Sequence, residues 1–138
     1  MKIVIAFDSF KGCISSADAG QACAEGLRRA LPGAEIRIVS VGDGGEGTLD
    51  ALAASTGYCW HTARVRGPLG EEVAARFAAS GDGRTTLTEL AEASGLTLVP
   101  AALRDPMTAS TYGCGELLKA IIDTGCRRIY IGLGAVQP

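Results

Sequence analysis

The sequence predicts an α/β protein: part of a flavodoxin- or Rossmann-like parallel sheet with helices packed on it, together with an antiparallel β insert. Three observations carry that reading. Lys2 to Phe7 is a short, nearly continuous apolar run rich in β-branched residues, the pattern of a strand covered on both faces. Before residue 58 and after residue 99, strand-like runs alternate with amphipathic stretches at helical spacing. Between those limits, strand-like runs follow one another directly and are separated only by short glycine-bearing turns, as in hairpins.

The elements follow in order. After the first strand comes the loop Asp8 to Ile14, and then Ser15, which can cap a helix with Asp18 three residues on. Ala19, Ala22, Cys23, Leu27 and Ala30 give that helix an apolar face until Pro32-Gly33 stops it. Glu35 to Val41 reads as the second strand, Gly42 to Gly47 as a glycine-rich loop, and Thr48 to Ser55 as a short helix ending at Gly57. Residues 1–57 are therefore the first part of an α/β core. Tyr58 to Val65, Glu72 to Ala79 and Arg84 to Leu90 read as strands joined by Gly67-Pro68-Leu69-Gly70 and Gly81-Asp82-Gly83, which makes 58–99 the antiparallel β-rich insert. Residues 100–138 return to the core with a loop to Ser110, a helix from Thr111 to Asp123, a turn at Gly125 and a strand at Arg128 to Leu133. The strands at Lys2 to Phe7, Glu35 to Val41 and Arg128 to Leu133 are expected to lie parallel in one sheet, with the middle strands in a separate layer or lobe.

Composition narrows the function classes. The 138 residues, 47% hydrophobic and 20% charged, suit one domain with a buried core. A formal charge of −2, with Lys and Arg scattered along the chain, argues against a nucleic-acid partner. The apolar start is too short for a signal peptide, and no later stretch approaches the ~20 apolar residues of a membrane span, so a cytoplasmic protein without a membrane partner is expected. Cys13, Cys23, Cys59, Cys114 and Cys126 show neither C-x-x-C spacing nor a histidine at ligand spacing and read as reduced thiols. His61, the one histidine, has no second histidine to work with.

In an open α/β sheet, ligands gather beyond the carboxyl ends of the strands, where helix N-termini offer free N–H groups. Three segments fall there: Asp8-Ser9-Phe10-Lys11-Gly12, Gly42-Asp43-Gly44-Gly45-Glu46-Gly47-Thr48, and Thr111-Tyr112-Gly113-Cys114-Gly115-Glu116. Gly42, Gly44 and Gly47 formally satisfy G-x-G-x-x-G, but Asp43 and Glu46 would set two carboxylates beside a pyrophosphate, and no acidic residue ends the next strand to hold a ribose. Carboxylates among glycines suit Mg²⁺ instead, which takes one or two carboxylates and completes its shell with water and phosphate. A tight turn whose Glu46 favours the helix start accounts for the same letters. Lys11 is the only lysine in a glycine-bearing strand-to-helix loop, where a phosphate or carboxylate is its natural guest; an ion pair with Asp8 is the alternative. Ser110, Thr111 and Tyr112 precede two glycines and suit either an anion or a helix cap. Glu89 and Glu92 can face the crevice from a strand end, with surface solvation the reading for at least one of them.

Taken in order, Asp8-Ser9-Phe10-Lys11-Gly12, Asp43-Gly44-Gly45-Glu46-Gly47-Thr48, Gly67-Pro68-Leu69-Gly70, Glu89-Leu90-Ala91-Glu92-Ala93-Ser94-Gly95-Leu96, Thr111-Tyr112-Gly113 with Gly115-Glu116-Leu117, and Ile131-Gly132-Leu133-Gly134 make the chain resemble the bacterial glycerate kinase family up to Gly134. The resemblance implies a truncated two-domain glycerate kinase that transfers the ATP γ-phosphoryl to glycerate, 2-phosphoglycerate being the preferred product. Where the family usually has proline, serine and threonine, this chain has Phe7, Cys13 and Cys114. Where the family continues into a Gly-Ser-Ala-Thr-Asn-Asp-Gly-Gly loop, it reads Ala135-Val136-Gln137-Pro138, so more than half of the usual chain is expected to be missing.

On this reading Lys11 and Asp43 are the catalytic candidates. Lys11 orients the glycerate carboxylate or neutralises the transferring phosphate, and Asp43 acts as base or metal ligand. Asp8, Ser9, Gly44, Gly45, Thr111 and Gly113 are the substrate and phosphate candidates, and Asp43 and Glu46 the Mg²⁺ ligands. The isolated 138 residues are expected to be inactive and to self-associate through an exposed sheet edge. The rivals are a non-catalytic remnant or nucleotide- and anion-binding module, and a dinucleotide-binding oxidoreductase domain, which Asp43 and Glu46 disfavour.

Overall fold

The computed structural model describes residues 1–10 and 12–134. The chain forms two sheets. In the first, β1 (Lys2–Phe7) pairs in parallel with β2 (Glu35–Ser40), and Ile5 lies opposite Ile38. Helix α1 (Ser16–Ala30) connects them, as parallel strands require a crossover. Ser15 caps it: its Oγ accepts from Asp18 N at 3.1 Å and donates to Asp18 Oδ2 at 2.6 Å. The buried face of α1 is made of small residues, Ser16, Ala19, Gly20 and Ala24, which lets the helix come close to the sheet. A Cβ on Gly20 would stand 2.6 Å from Ile38 Cγ2. The opposite face of this sheet, with Val4 and Val39, is open.

The second sheet has the order β3-β4-β5-β6: β3 (Cys59–Arg66) and β4 (Glu72–Ala79) form a long antiparallel hairpin, and β5 (Thr85–Glu89) pairs antiparallel with β4 and parallel with β6 (Arg128–Gly132). Helix α2 (Thr48–Thr56) covers one face, packing Leu49 and Ala53 on Ala78 and Leu87. Helix α4 (Tyr112–Asp123) covers the other, where Leu117, Ile121 and Cys114 meet Val65, Ala75 and Phe77. With both faces covered, four of the five β5 residues are buried. The short helix α3 (Ala91–Ser94) and two 3₁₀ turns, Leu96–Leu98 and Ala101–Leu103, join β5 to α4. Among the described residues no helix is long and apolar enough to cross a membrane.

The α/β class with parallel and antiparallel strands agrees with the sequence, and the parallel pairing of the first two strands is as expected. The expectation that β6 joins them is corrected: β6 lies in the second sheet, beside β5. Two main-chain junctions put it there. Arg127 N and Arg128 N both donate to Arg84 O, at 3.0 and 2.9 Å, and Leu90 N donates to Gly132 O at 2.9 Å, so β5 and β6 are tied at both ends. A β-branched run such as Arg128 to Gly132 declares a strand but carries no information about its neighbour.

Candidate functional site

The loop between β2 and α2 enters the helix through Gly47, at a φ of +92°, and glycine has no side chain with which to cap α2. The first N–H groups of a helix must nonetheless find acceptors. They find Glu89, at the carboxyl end of β5: Oε2 accepts from Leu49 N at 2.8 Å and Oε1 from Gly47 N at 3.2 Å. Glu89 is 3% exposed. Burial pushes its carboxyl above the usual range, the two N–H bonds oppose that rise without cancelling it, and the nearby Glu92 and Asp50 charges add to it.

The rest of the loop is also internally bonded. Gly44 N donates to Thr48 Oγ1 at 2.9 Å, Gly45 N to Asp43 Oδ1 at 2.7 Å, and Thr48 N to Gly45 O at 3.1 Å. The loop is therefore not an open nest of amides around an anion. Its glycines instead permit close packing, since a Cβ on Gly132 would stand 2.6 Å from Gly44 O and one on Gly44 3.3 Å from Gly134 N. The end of β6 thus meets the β2 loop although the two strands do not pair.

The β1 loop comes to the same place. Asp8 Oδ1 accepts from Ser9 N at 2.7 Å, and Ser9 Oγ donates to Glu46 O at 3.4 Å, joining the two loops. Asp8, Ser9, Asp43, Gly44, Gly45 and Glu46 line one open cavity of about 580 Å³. The Lys11 reading lies outside the described residues. Thr111 and Gly113 are placed elsewhere. Thr111 precedes α4 without making a side-chain cap bond, and Gly113 packs on the Arg66 main chain so closely that any Cβ would collide with Arg66 O. Glu116 Oε2 accepts from Arg66 N at 2.8 Å, fixing this helix start to the end of β3.

The cavity also holds residues that the sequence did not single out. Arg76 of β4 donates from Nε and Nη2 to Glu92 Oε1, at 2.9 and 2.6 Å, and from Nη1 and Nη2 to Asp50, at 3.1 and 3.2 Å. Its main-chain N donates to Glu92 Oε2 at 2.9 Å, and its guanidinium lies 5.1 Å from the Trp60 ring centre. Bonding to Glu92 foremost holds the Arg76 proton more firmly than usual. With four of its five guanidinium N–H donors committed, Arg76 ties α2, the sheet and α3 together across the cavity wall. Glu89, weighed from the sequence, had one legible signal: Gly47-Thr48 opens a helix without a good capping residue before it. Arg76 and Asp50 had none, for each reads as an ordinary surface charge.

Asp8, Asp43 and Glu46 bring carboxylates to the lining, and Asp43 Oδ2 has no hydrogen-bond partner among the described residues. No group of three or more histidine, cysteine or carboxylate side chains is assembled as a metal cage among them. Asp43 and Glu46 are the residues of this lining that could contribute one or two carboxylates to a cation whose shell is otherwise water and phosphate.

The glycerate kinase family model matches residues 3–137. Over 97% of its length the chain is 47% identical to the glycerate 2-kinase of Escherichia coli and, over the same share, 47% identical to the glycerate kinase of Bacillus subtilis. It spans 35% of the length of each. A crystal structure assigned as glycerate kinase 2 from Salmonella typhimurium LT2 matches with a TM-score of 0.76 and 42% identity, covering 97% of this chain and 36% of that one. With a family model matched along nearly its whole length, the chain belongs to the glycerate kinase family.

Proposed function

We propose that these residues form part of the site of an ATP- and Mg²⁺-dependent kinase that phosphorylates glycerate, with 2-phosphoglycerate as product. The observation that carries the reading is the convergence of the Asp8-Ser9 and Asp43-Glu46 loops on one cavity, joined by the Ser9 to Glu46 hydrogen bond. Phosphoryl transfer needs positioning and charge neutralisation more than covalent help from the protein. Asp43, with one oxygen anchored by Gly45 N, takes the proton of the attacking hydroxyl or ligates the cation. Asp43 and Glu46 would hold Mg²⁺, which when bound neutralises phosphate charge. Asp8 and Ser9 orient the substrate, and Lys11 offers the positive charge for the glycerate carboxylate or the transferring phosphate. Gly44 and Gly45, whose amides are engaged, serve by letting the end of β6 pack against the loop that carries Asp43 and Glu46. Thr111 and Gly113 have no part in this cavity.

The curated relatives are almost three times as long, so these 138 residues are one wall of the proposed site. We read them as inactive alone and prone to self-association through the open β1–β2 sheet, whose outer face carries Val4 and Val39. The test is glycerate-dependent ADP release, run on this chain and on the chain extended with the remaining part of a curated relative. Turnover by the extended protein, lost in Asp43→Asn, supports the proposal, and ³¹P NMR identifies the product. An extended, folded protein that ignores glycerate, or an Asp43→Asn variant at full rate, would sink it.

A further inference from the structure

At the opposite end of β5 and β6 from the cavity, the Gly81-to-Arg84 turn and the Gly125-to-Arg128 turn are locked together. Arg84 O accepts from both Arg127 N and Arg128 N, and Cys126 Sγ donates to Arg84 O and Arg128 O at 3.4 and 3.2 Å. Three arginine side chains therefore leave one rigid main-chain junction. They line a concavity of about 610 Å³ with Asp82, Thr85 and Gly125. That volume lies in the range of small-molecule sites, roughly 300–1,000 Å³.

Positive charge exceeds negative there, although the Arg84 charge acts on Asp82 and helps hold its carboxyl down. Lys2, Arg37, Arg64, Arg66, Arg76 and Lys119 each make an ion pair, whereas among the described residues Arg28, Arg29, Arg84, Arg104, Arg127 and Arg128 make none, and of these Arg84, Arg127 and Arg128 line one concavity. Asp82 is the one carboxylate in the lining. Its Oδ1 already accepts from Ser80 Oγ at 2.6 Å and Arg84 N at 3.0 Å, bonds that hold its carboxyl below the usual range. Arg127 makes one long hydrogen bond, Nη1 to Cys126 O at 3.4 Å. Gathered like charges repel one another unless an anion sits between them, and the guanidinium fork matches phosphate oxygens two at a time.

We infer that the Arg84-Arg127-Arg128 concavity is a second ligand site, for a small polyanion bearing two or more phosphate groups, inorganic or carried on an organic molecule. The inference does not rest on the kinase reading, because the site shares no residue with the cavity at the carboxyl ends of the strands. Its test is residue-resolved ¹H–¹⁵N NMR, including the arginine Nε–H signals, on the ¹⁵N-labelled chain. Pyrophosphate is titrated in one arm and fructose 1,6-bisphosphate in the other, with NaCl at matched ionic strength as control. Saturable shifts centred on Arg84, Gly125, Arg127 and Arg128 are expected in at least one arm. The arm that saturates at the lower concentration tells whether the phosphates are inorganic or organic. Arg127→Gln/Arg128→Gln should weaken binding at least about tenfold, while Arg28→Gln/Arg29→Gln on α1 leaves it unchanged. The junction is made by main-chain groups, so the variants keep it, and circular dichroism melting checks that they do. Shifts that stay linear, match NaCl, or survive the double substitution in a folded protein overturn the inference.

Discussion

Helices α2 and α4 both start at glycines after a loop, and in the sequence both look like places for an anion. Their starts are nonetheless built in opposite senses. At α2 the carboxylate comes from the sheet, with Glu89 accepting from Gly47 N and Leu49 N, and the loop before the helix is left facing a cavity. At α4 the carboxylate comes from the helix, with Glu116 accepting from Arg66 N, and Gly113 sits flush on the strand end. The first arrangement satisfies a helix and leaves room beside it; the second closes the gap. A glycine at a helix start thus marks a close approach, and only the tertiary structure decides whether a ligand or the protein's own backbone is what approaches.

The sharpest way to break this contrast is Gly113→Ala. Its methyl group has no space before the Arg66 carbonyl, so α4 must shift off β3, at an expected cost of about 3 kcal/mol seen as a lower urea midpoint. Glu89→Ala comes next. It leaves Gly47 N and Leu49 N without their acceptor and should cost about 2 kcal/mol, with faster amide exchange confined to the Gly47–Leu49 turn. If exchange there is unchanged, Glu89 does not hold the loop.

The pH dependence of Glu89 is a smaller effect with a definite sign. A carboxyl whose pKa is raised in the folded state binds its proton more tightly folded than unfolded. Its contribution is therefore complete below the usual glutamate range and is lost as pH rises through the folded value. As pH rises from the usual glutamate range through the folded value, Glu89→Gln should shed this part of the dependence and lose less stability than the parent chain. An identical pH profile would contradict the raised value. Smallest is Gly115→Ala on the same helix as Gly113: its Cβ meets nothing within 4 Å, and the change should stabilise by about 0.5–1 kcal/mol. Opposite signs for two glycines two residues apart would show that position against β3, and not helix propensity, governs Gly113.

What the sequence made legible follows from local physics. The cap at Ser15 and the ends of α1 and α4 were readable because capping groups and apolar periodicity act within a few residues. Of the expected meeting of Asp8, Lys11, Asp43 and Glu46, Lys11 lies outside the described residues, and the other three line one cavity, since parallel strands put the loops after them on one edge. The partner of β6 was not legible, because strand pairing is fixed by distant junctions such as Arg84 O with Arg127 N and Arg128 N. Arg76 escaped notice for the same reason: its acceptors, Asp50 and Glu92, lie 26 and 16 residues away in sequence.

The most direct test of the central claim, that ligands are held at the β1 and β2 loops and not at the start of α4, is paramagnetic NMR with Mn²⁺ standing in for Mg²⁺. In the ¹⁵N-labelled chain with ATP and glycerate, substoichiometric Mn²⁺ should broaden the amide signals of Ser9, Gly44 and Gly45 first and leave those of Thr111 to Gly113 sharp. Broadening centred on Thr111 to Gly113, or none at Ser9 and Gly44, would contradict it.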